Sequence, residues 1–218
     1  MVEADDSYRA GTVAAVPLAI AVGAFGVSFG VLAQGAGIGG FAAVLMSATT
    51  FAGSAQFAAV AVLAQGGGLA TAVIAVALLN SRYLPIGASV ASVLHRHPAL
   101  RFLEAQMVVD ESWAIGHVGG QVLRRRLLGA GVTIYAAWVI GTIAGVLGGR
   151  LLGDPARLGF DAAFPALFLA LVVGQLRSRR AVSAALLGAA IALLLAPFTP
   201  PGIPILAAAA ACLLGLRR

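Results

Sequence analysis

The 218-residue chain has no lysine, a single cysteine and few charges of either sign, with only 10% of its residues ionised. Each shortage excludes something. One thiol, Cys212, in a late apolar stretch rules out an intrachain disulfide or a thiolate metal cluster. So little charge leaves too small a polar surface for a soluble domain of this size. No phosphate-binding Gly-Lys-Ser/Thr loop occurs, and nothing outside the apolar runs is large enough for a nucleotide-binding domain, which excludes ATP hydrolysis by this chain. No His-Glu-x-x-His pair occurs, and His95, His97 and His117 all lie far from the "GSAQ" serine, which argues against an enzyme. His95 and His97 stand two residues apart with no third ligand nearby, so no metal site is expected. The opening "MVEADDSYRAG" is acidic where a signal peptide would be basic, so the first apolar run reads as a retained span.

What the chain has is hydrophobicity, at 61% of residues and a mean hydropathy of +1.00. Apolar runs fall at about 12–33, 41–64, 69–94, 127–148, 159–176, 181–197 and 202–216. The expectation is an all-α polytopic membrane protein with about seven transmembrane helices, forming one domain over residues 1–218. Residues 1–11 form an N-terminal tail and 95–126 a polar connecting segment, which reads as a cytoplasmic helix, a re-entrant element or an eighth span.

The net charge of +6 sits in short loops, so it speaks for orientation in the lipid bilayer and not for nucleic acid. Arg124 to Arg126, the cluster at Arg177, Arg179 and Arg180, and the pair Arg217 and Arg218 are separated by two spans each. Seven spans then predict an outside N-terminus and a cytoplasmic C-terminus, whereas eight put the N-terminus inside. Seven spans also allow a three-plus-three inverted repeat with an added helix, its units opening on "GAFGVSFG" and "GTIAGVLGG".

Arg82 is the residue most in need of explanation. It stands in "ALLNSRYLPIG", near the middle of the 69–94 run, where a guanidinium costs ~2.5–3.5 kcal/mol on insertion scales. Its charge has to be met by a carboxylate, by backbone carbonyls or by water in a cavity. Pro85 cannot donate to Ser81, so the backbone there is expected to bend or open, and Asn80 and Tyr83 add hydrogen-bonding groups. The structural alternatives are a fixed internal ion pair, or a span shifted in depth so that Arg82 lies at an interface.

In "SATTFAGSAQFA", Ser47, Thr50 and Ser54 share helical spacing and Gln56 lies off that stripe; such a stripe bonds neighbouring helices or, with Gly53, opens a local break. In "DESW", Asp110 and Glu111 are adjacent and point different ways, one able to pair a buried arginine and the other to meet water or carry a proton. Asp161 opens the fifth run, where it reads first as a helix cap. Gly26 with Gly30, and Gly141 with Gly145 and Gly149, have the spacing of close helix packing.

"FAGSAQFA", "LNSRYL", "DESW", "WVIGTIAGVLGG" and "FDAAFPALFLAL" occur in the order seen in the AzlC-type large subunit of branched-chain amino acid exporters, which this chain resembles over about residues 10–216. The resemblance implies export of leucine, isoleucine and valine, with methionine admissible by shape, across the bacterial cytoplasmic membrane. It implies coupling to the proton gradient, no cofactor, and a small AzlD-type membrane subunit as partner. Position by position, Asn80 and Arg82 fall in its Asn-x-Arg motif, Asp110 and Glu111 in its Asp-Glu pair, and Ser54 and Gln56 in its second-span motif. Tyr83 stands where relatives resemble histidine. The expected substrate residues are thus Arg82, Asn80, Tyr83, Ser54 and Gln56, and the proton-coupling ones Asp110, Glu111 and Asp161. The alternative is a permease or pore subunit of a larger system energised by a separate protein.

Overall fold

The computed structural model describes residues 5–149, 169, 173, 176, 178–199 and 203–211. Asp161, Cys212 and the 159–168 part of the fifth run lie outside the described residues. Two long helices form the spine: α1 (Tyr8–Gly35) and α8 (Arg124–Gly149). α1 starts where the Ser7 hydroxyl accepts from Ala10 N–H at 3.1 Å, taking up one of the free donors of the first turn.

The two helices touch backbone to backbone along their length. A methyl added at Gly26 would come within 2.6 Å of the Trp138 carbonyl oxygen, and one at Gly141 or Gly145 would overlap the carbonyls of Gly23 or Val27. Near their starts, Gly11 faces Arg126, and Gly129 faces Tyr8. Numbers rise together on both helices, so α1 and α8 run parallel. The two ends of the molecule can be defined by them: a lower end, where both begin, and an upper end, where both finish.

From the upper end α2 (Gly40–Thr50) descends beside α8, with Gly40 against Val146, Ser47 bonded to Thr142 at 2.9 Å and the Ala48 carbonyl accepting from Tyr135 at 2.9 Å. The helix stops at Phe51, which takes a left-handed backbone (φ 39°, ψ 53°). α3 (Gly53–Ala64) then climbs back beside α2, placing Gln56 on Ser47 and Ala59 and Val62 in one cluster with Met46. α4 (Leu69–Asn80) returns downward against α3, and α5 (Tyr83–Val90) continues it with a 44° bend, ending on Leu127 and Leu128 at the lower end.

At that end α6 (Pro98–Gln106) and α7 (Asp110–Gly116) make a second, shorter hairpin. Its turn meets α8 at Gly131, beside the Met107 carbonyl, and α7 descends until Gly116 lies on Leu127. Two two-residue strands, β1 (His117–Val118) and β2 (Gln121–Val122), join it to α8. Farther on, α9 (Arg179–Leu195) packs on α10 (Ile203–Ala208).

The core sits where these elements meet. Phe29, Phe57 and Trp138 pack ring to ring at 5.7–6.0 Å, all nearly inaccessible to solvent. α1 and α8 are each long and apolar enough to cross a membrane, and the bent α4–α5 pair qualifies as a third candidate.

Three expectations need correction. The 41–64 run does not cross the molecule: it is a hairpin with both ends at the upper end, because the chain reverses at Phe51 and Ala52. The first and fourth runs are parallel and not opposed, which removes the basis of the three-plus-three repeat among the described helices. The N-terminal segment and Arg124 to Arg126 share one end, since the Asp6 carboxylate accepts from the N–H groups of Arg125 and Arg126 at 2.9 and 3.2 Å. An outside N-terminus with that arginine cluster inside is therefore not the arrangement. A count that treats every apolar run as one crossing inverts each element after the hairpin.

Candidate functional site

Three interruptions of helix meet halfway along α8: the turn at Phe51–Ala52, the break between Asn80 and Tyr83, and the turn at 107–109. The second has a local cause. Pro85 has no N–H to offer the Ser81 carbonyl, which instead accepts from Leu84 at 3.1 Å, and the helix tightens and bends there. Arg82 occupies the bend.

Its guanidinium reaches both hairpins. Arg82 Nη2 donates to Ser54 Oγ at 2.8 Å and lies 3.0 Å from Asp110 Oδ2. Its charge also sits over the Tyr83 ring, 5.2 Å from the centroid. The pair is not sealed: the Arg82 and Asp110 side chains are 39% and 41% exposed, because both line a cavity of about 270 Å³. The remaining walls are largely apolar, with Leu18, Val22 and Phe25 from α1, Phe57 from α3, and Ile134 and Trp138 from α8. Arg82 Nε and Trp138 Nε1 are buried and have no hydrogen-bond partner among the described residues. Both belong to residues that line the cavity, so two unmet donors lie within its walls.

Glu111 lines the same cavity. It sits in the first turn of the seven-residue α7. Asp110 and Glu111 were expected to face different ways. They face one cavity because they begin α7, whose first turn opens toward Arg82.

The other expected residues separate. Tyr83 lines this cavity and also a second one of about 360 Å³, where Asn80 is found. Gln56 lines neither: it is fully buried, donates to Ser47 Oγ at 3.1 Å and accepts from Ala52 N–H at 3.2 Å. It ties the two arms of the upper hairpin together. The stripe of Ser47, Thr50 and Ser54 is likewise split by the turn, with Ser47 in that buried knot, Thr50 on the second cavity and Ser54 on Arg82. Asp161 lies outside the described residues. Sequence reasoning missed Phe51, Ile134 and Trp138 as wall residues; a tryptophan in the glycine-rich, apolar 127–148 run was the one available signal.

These features define a helical membrane protein with a charged, partly open cavity at the meeting point of broken helices. The AzlC protein family matches residues 17–152, and the chain belongs to that family. It is 34% identical to an uncharacterized membrane protein of Archaeoglobus fulgidus over 94% of this chain and 91% of that one. It is 28% identical to the inner membrane protein YgaZ of Escherichia coli over 84% of this chain and 80% of that one. No solved structure gives a significant match.

Proposed function

We propose that this protein is the substrate-carrying subunit of a secondary transporter, not an enzyme, that exports branched-chain amino acids across the cytoplasmic membrane in exchange for protons. The observation that carries the reading is the Arg82–Asp110 pair, held open in an apolar-walled cavity beside unmet donors. An amino-acid carboxylate replaces Asp110 on the Arg82 guanidinium. The freed Asp110, with Glu111, accepts the ammonium group. The aliphatic side chain lies against Leu18, Val22, Phe25 and Phe57. Such a wall separates leucine, isoleucine, valine and methionine weakly, since a methylene is worth only ~1–3 kcal/mol. A proton arriving on Glu111 cancels part of the charge that holds the ammonium group and so favours release.

The lower end carries Arg9, Arg96, Arg101 and Arg124 to Arg126, whereas the described upper loops at 36–39 and 65–68 carry no charge. The positive-inside bias therefore puts the lower end, and with it the N-terminus, in the cytoplasm. α1, α4–α5 and α8 cross the bilayer, and the two hairpins enter it from opposite faces, their irregular turns tolerated because protein and cavity surround them. The small AzlD-type subunit is the proposed partner.

The test is peptide-fed efflux of leucine, isoleucine and valine from cells carrying the protein with and without the small subunit. Efflux should depend on both chains, follow an imposed pH gradient without ATP, and disappear with Arg82→Ala while the variant stays in the membrane. Normal efflux from that variant would refute the role given to Arg82. Dependence on ATP would favour a permease energised by a separate protein.

A further inference from the structure

The second cavity is built around a different set of residues. It runs down from Asn80 and Tyr83 past Ile86 and Val90 to Leu94 and Arg101 at the lower end. Asn80, which lines it, has an Oδ1 that is buried and without a hydrogen-bond partner among the described residues. Among the described residues, Phe51 and Tyr83 alone line both cavities.

Phe51 has two further properties. It is the one non-glycine residue with positive φ among the described residues, a conformation that side chains with a Cβ rarely adopt. Such strain persists only where surroundings over-determine it; here Phe51 is 5% exposed and packs edge-on to Tyr135, centroids 5.0 Å apart. Phe51 also stands at the turn of one hairpin, which touches the turn of the other. Gln106 Nε2 donates to the Thr49 carbonyl at 2.8 Å. Thr49 and Gln106 each stand three residues before the N-cap of the returning helix, Ala52 and Val109. The hairpins thus meet at matching positions from opposite ends, an arrangement suited to one moving against the other.

We infer that the 360 Å³ cavity is the vestibule by which a zwitterionic substrate reaches Arg82 from the lower end, and that Phe51 and Tyr83 are the gate between vestibule and site. This rests on the transport reading above. In the vestibule the ammonium group meets Asn80 Oδ1. Passage requires the Phe51 ring to leave its slot against Tyr135, which relaxes the left-handed backbone, and the Tyr83 ring to turn with it.

The test uses the full chain with Cys212→Ala and one new thiol, either Ala91→Cys in the vestibule or Val22→Cys in the inner cavity. A membrane-impermeant cationic thiol reagent is applied from each face. Ala91→Cys should react from the lower face whether or not Phe51 is present. Val22→Cys should react slowly from that face, and about tenfold faster once Phe51→Ala is added, a barrier change of ~1.4 kcal/mol. An unchanged Ala91→Cys rate shows that the added substitution leaves the fold intact; if Phe51→Ala disturbs it, Tyr83→Ala takes its place. A Val22→Cys rate that ignores both substitutions, or an Ala91→Cys that does not react from the lower face, overturns the proposal. No amino acid is present in this experiment, so an error in the substrate assignment leaves its outcome unchanged.

Discussion

Arg82 and Asp110 lie 3.0 Å apart although 28 residues, two chain reversals and two different helices separate them. A pair sealed from water would be locked, because parting it would leave each charge buried and uncompensated. This one is about two-fifths exposed on each side and faces a cavity. That geometry suits a carboxylate waiting to be exchanged. Asp110→Asn should therefore leave the protein in the membrane and abolish efflux, while Arg82→Lys should lower it at least about tenfold, since an ammonium cannot offer an incoming carboxylate the coplanar pair of donors that a guanidinium does. Efflux rates in cells with matched protein levels check both.

The hairpin at 40–64 makes a topological prediction. With Cys212→Ala as background, Ala36→Cys and Gln65→Cys should be labelled by an impermeant reagent from one face of the membrane. Arg96→Cys and Gln121→Cys should be labelled from the other. Labelling of Ala36→Cys and Gln65→Cys from opposite faces would restore 41–64 as a crossing helix.

Gly141 faces the Gly23 backbone across the α1–α8 seam, whereas a methyl at Gly148 meets nothing within 4 Å among the described residues. Gly141→Leu should separate the two long helices, a penalty on the order of the ~1–3 kcal/mol that overpacking brings. Gly148→Ala should be neutral. The midpoint of thermal unfolding in detergent distinguishes them.

Gln56 lies in the buried knot with Ser47 and Thr142 and touches neither cavity. Gln56→Leu strips Ser47 and the Ala52 N–H of a partner, and should cost ~1–3 kcal/mol. The half-saturating substrate concentration of the protein that remains folded should not move. A shift in that concentration at unchanged stability would make Gln56 a binding residue after all.

Glu104 fastens α6 to the start of α8 through Arg124 and also accepts from the His95 N–H at 2.8 Å. Burial pushes its carboxyl up, but the Arg124 hydrogen bond, the His95 N–H and their charges outweigh that, and the net shift is downward. A lowered folded-state value means stability that is present above the unfolded carboxyl's value, ~4.3, and lost as pH falls through the folded one. Glu104→Gln should lower the unfolding midpoint at neutral pH, and the gap from the parent should close on acidification below about pH 4. A gap that persists at acid pH would show that the carboxylate's charge is not what holds α6.

Much of the site was legible because some penalties depend little on context. A guanidinium in the middle of an apolar run demands partners wherever the run is placed, so Arg82 and a carboxylate such as Asp110 could be named from their cost alone. The bend at Ser81 followed from the missing N–H of Pro85. The reversal at Phe51 was not legible in the same way. No proline marks it, Gly53 only permits it, and a left-handed phenylalanine is imposed by packing against Tyr135 and not by any local preference. The splitting of the Ser47, Thr50 and Ser54 stripe was hidden for a related reason: its spacing was judged along one straight helix, and the chain folds back between Ser47 and Ser54.

Composition and periodicity by themselves determined a lipid-embedded helical protein, its central cation, and the small-residue faces on which its long helices meet. They did so because transfer free energies and side-chain size act residue by residue. Which runs cross and which turn back, which end holds the N-terminus, and which acids share a cavity with Arg82 were decided only in three dimensions. Length and hydropathy are the same for a span and for a hairpin of two half-length helices. Only contacts between distant segments (Met46 with Ala59, Gly23 with Gly141, Asp6 with Arg126) tell one from the other.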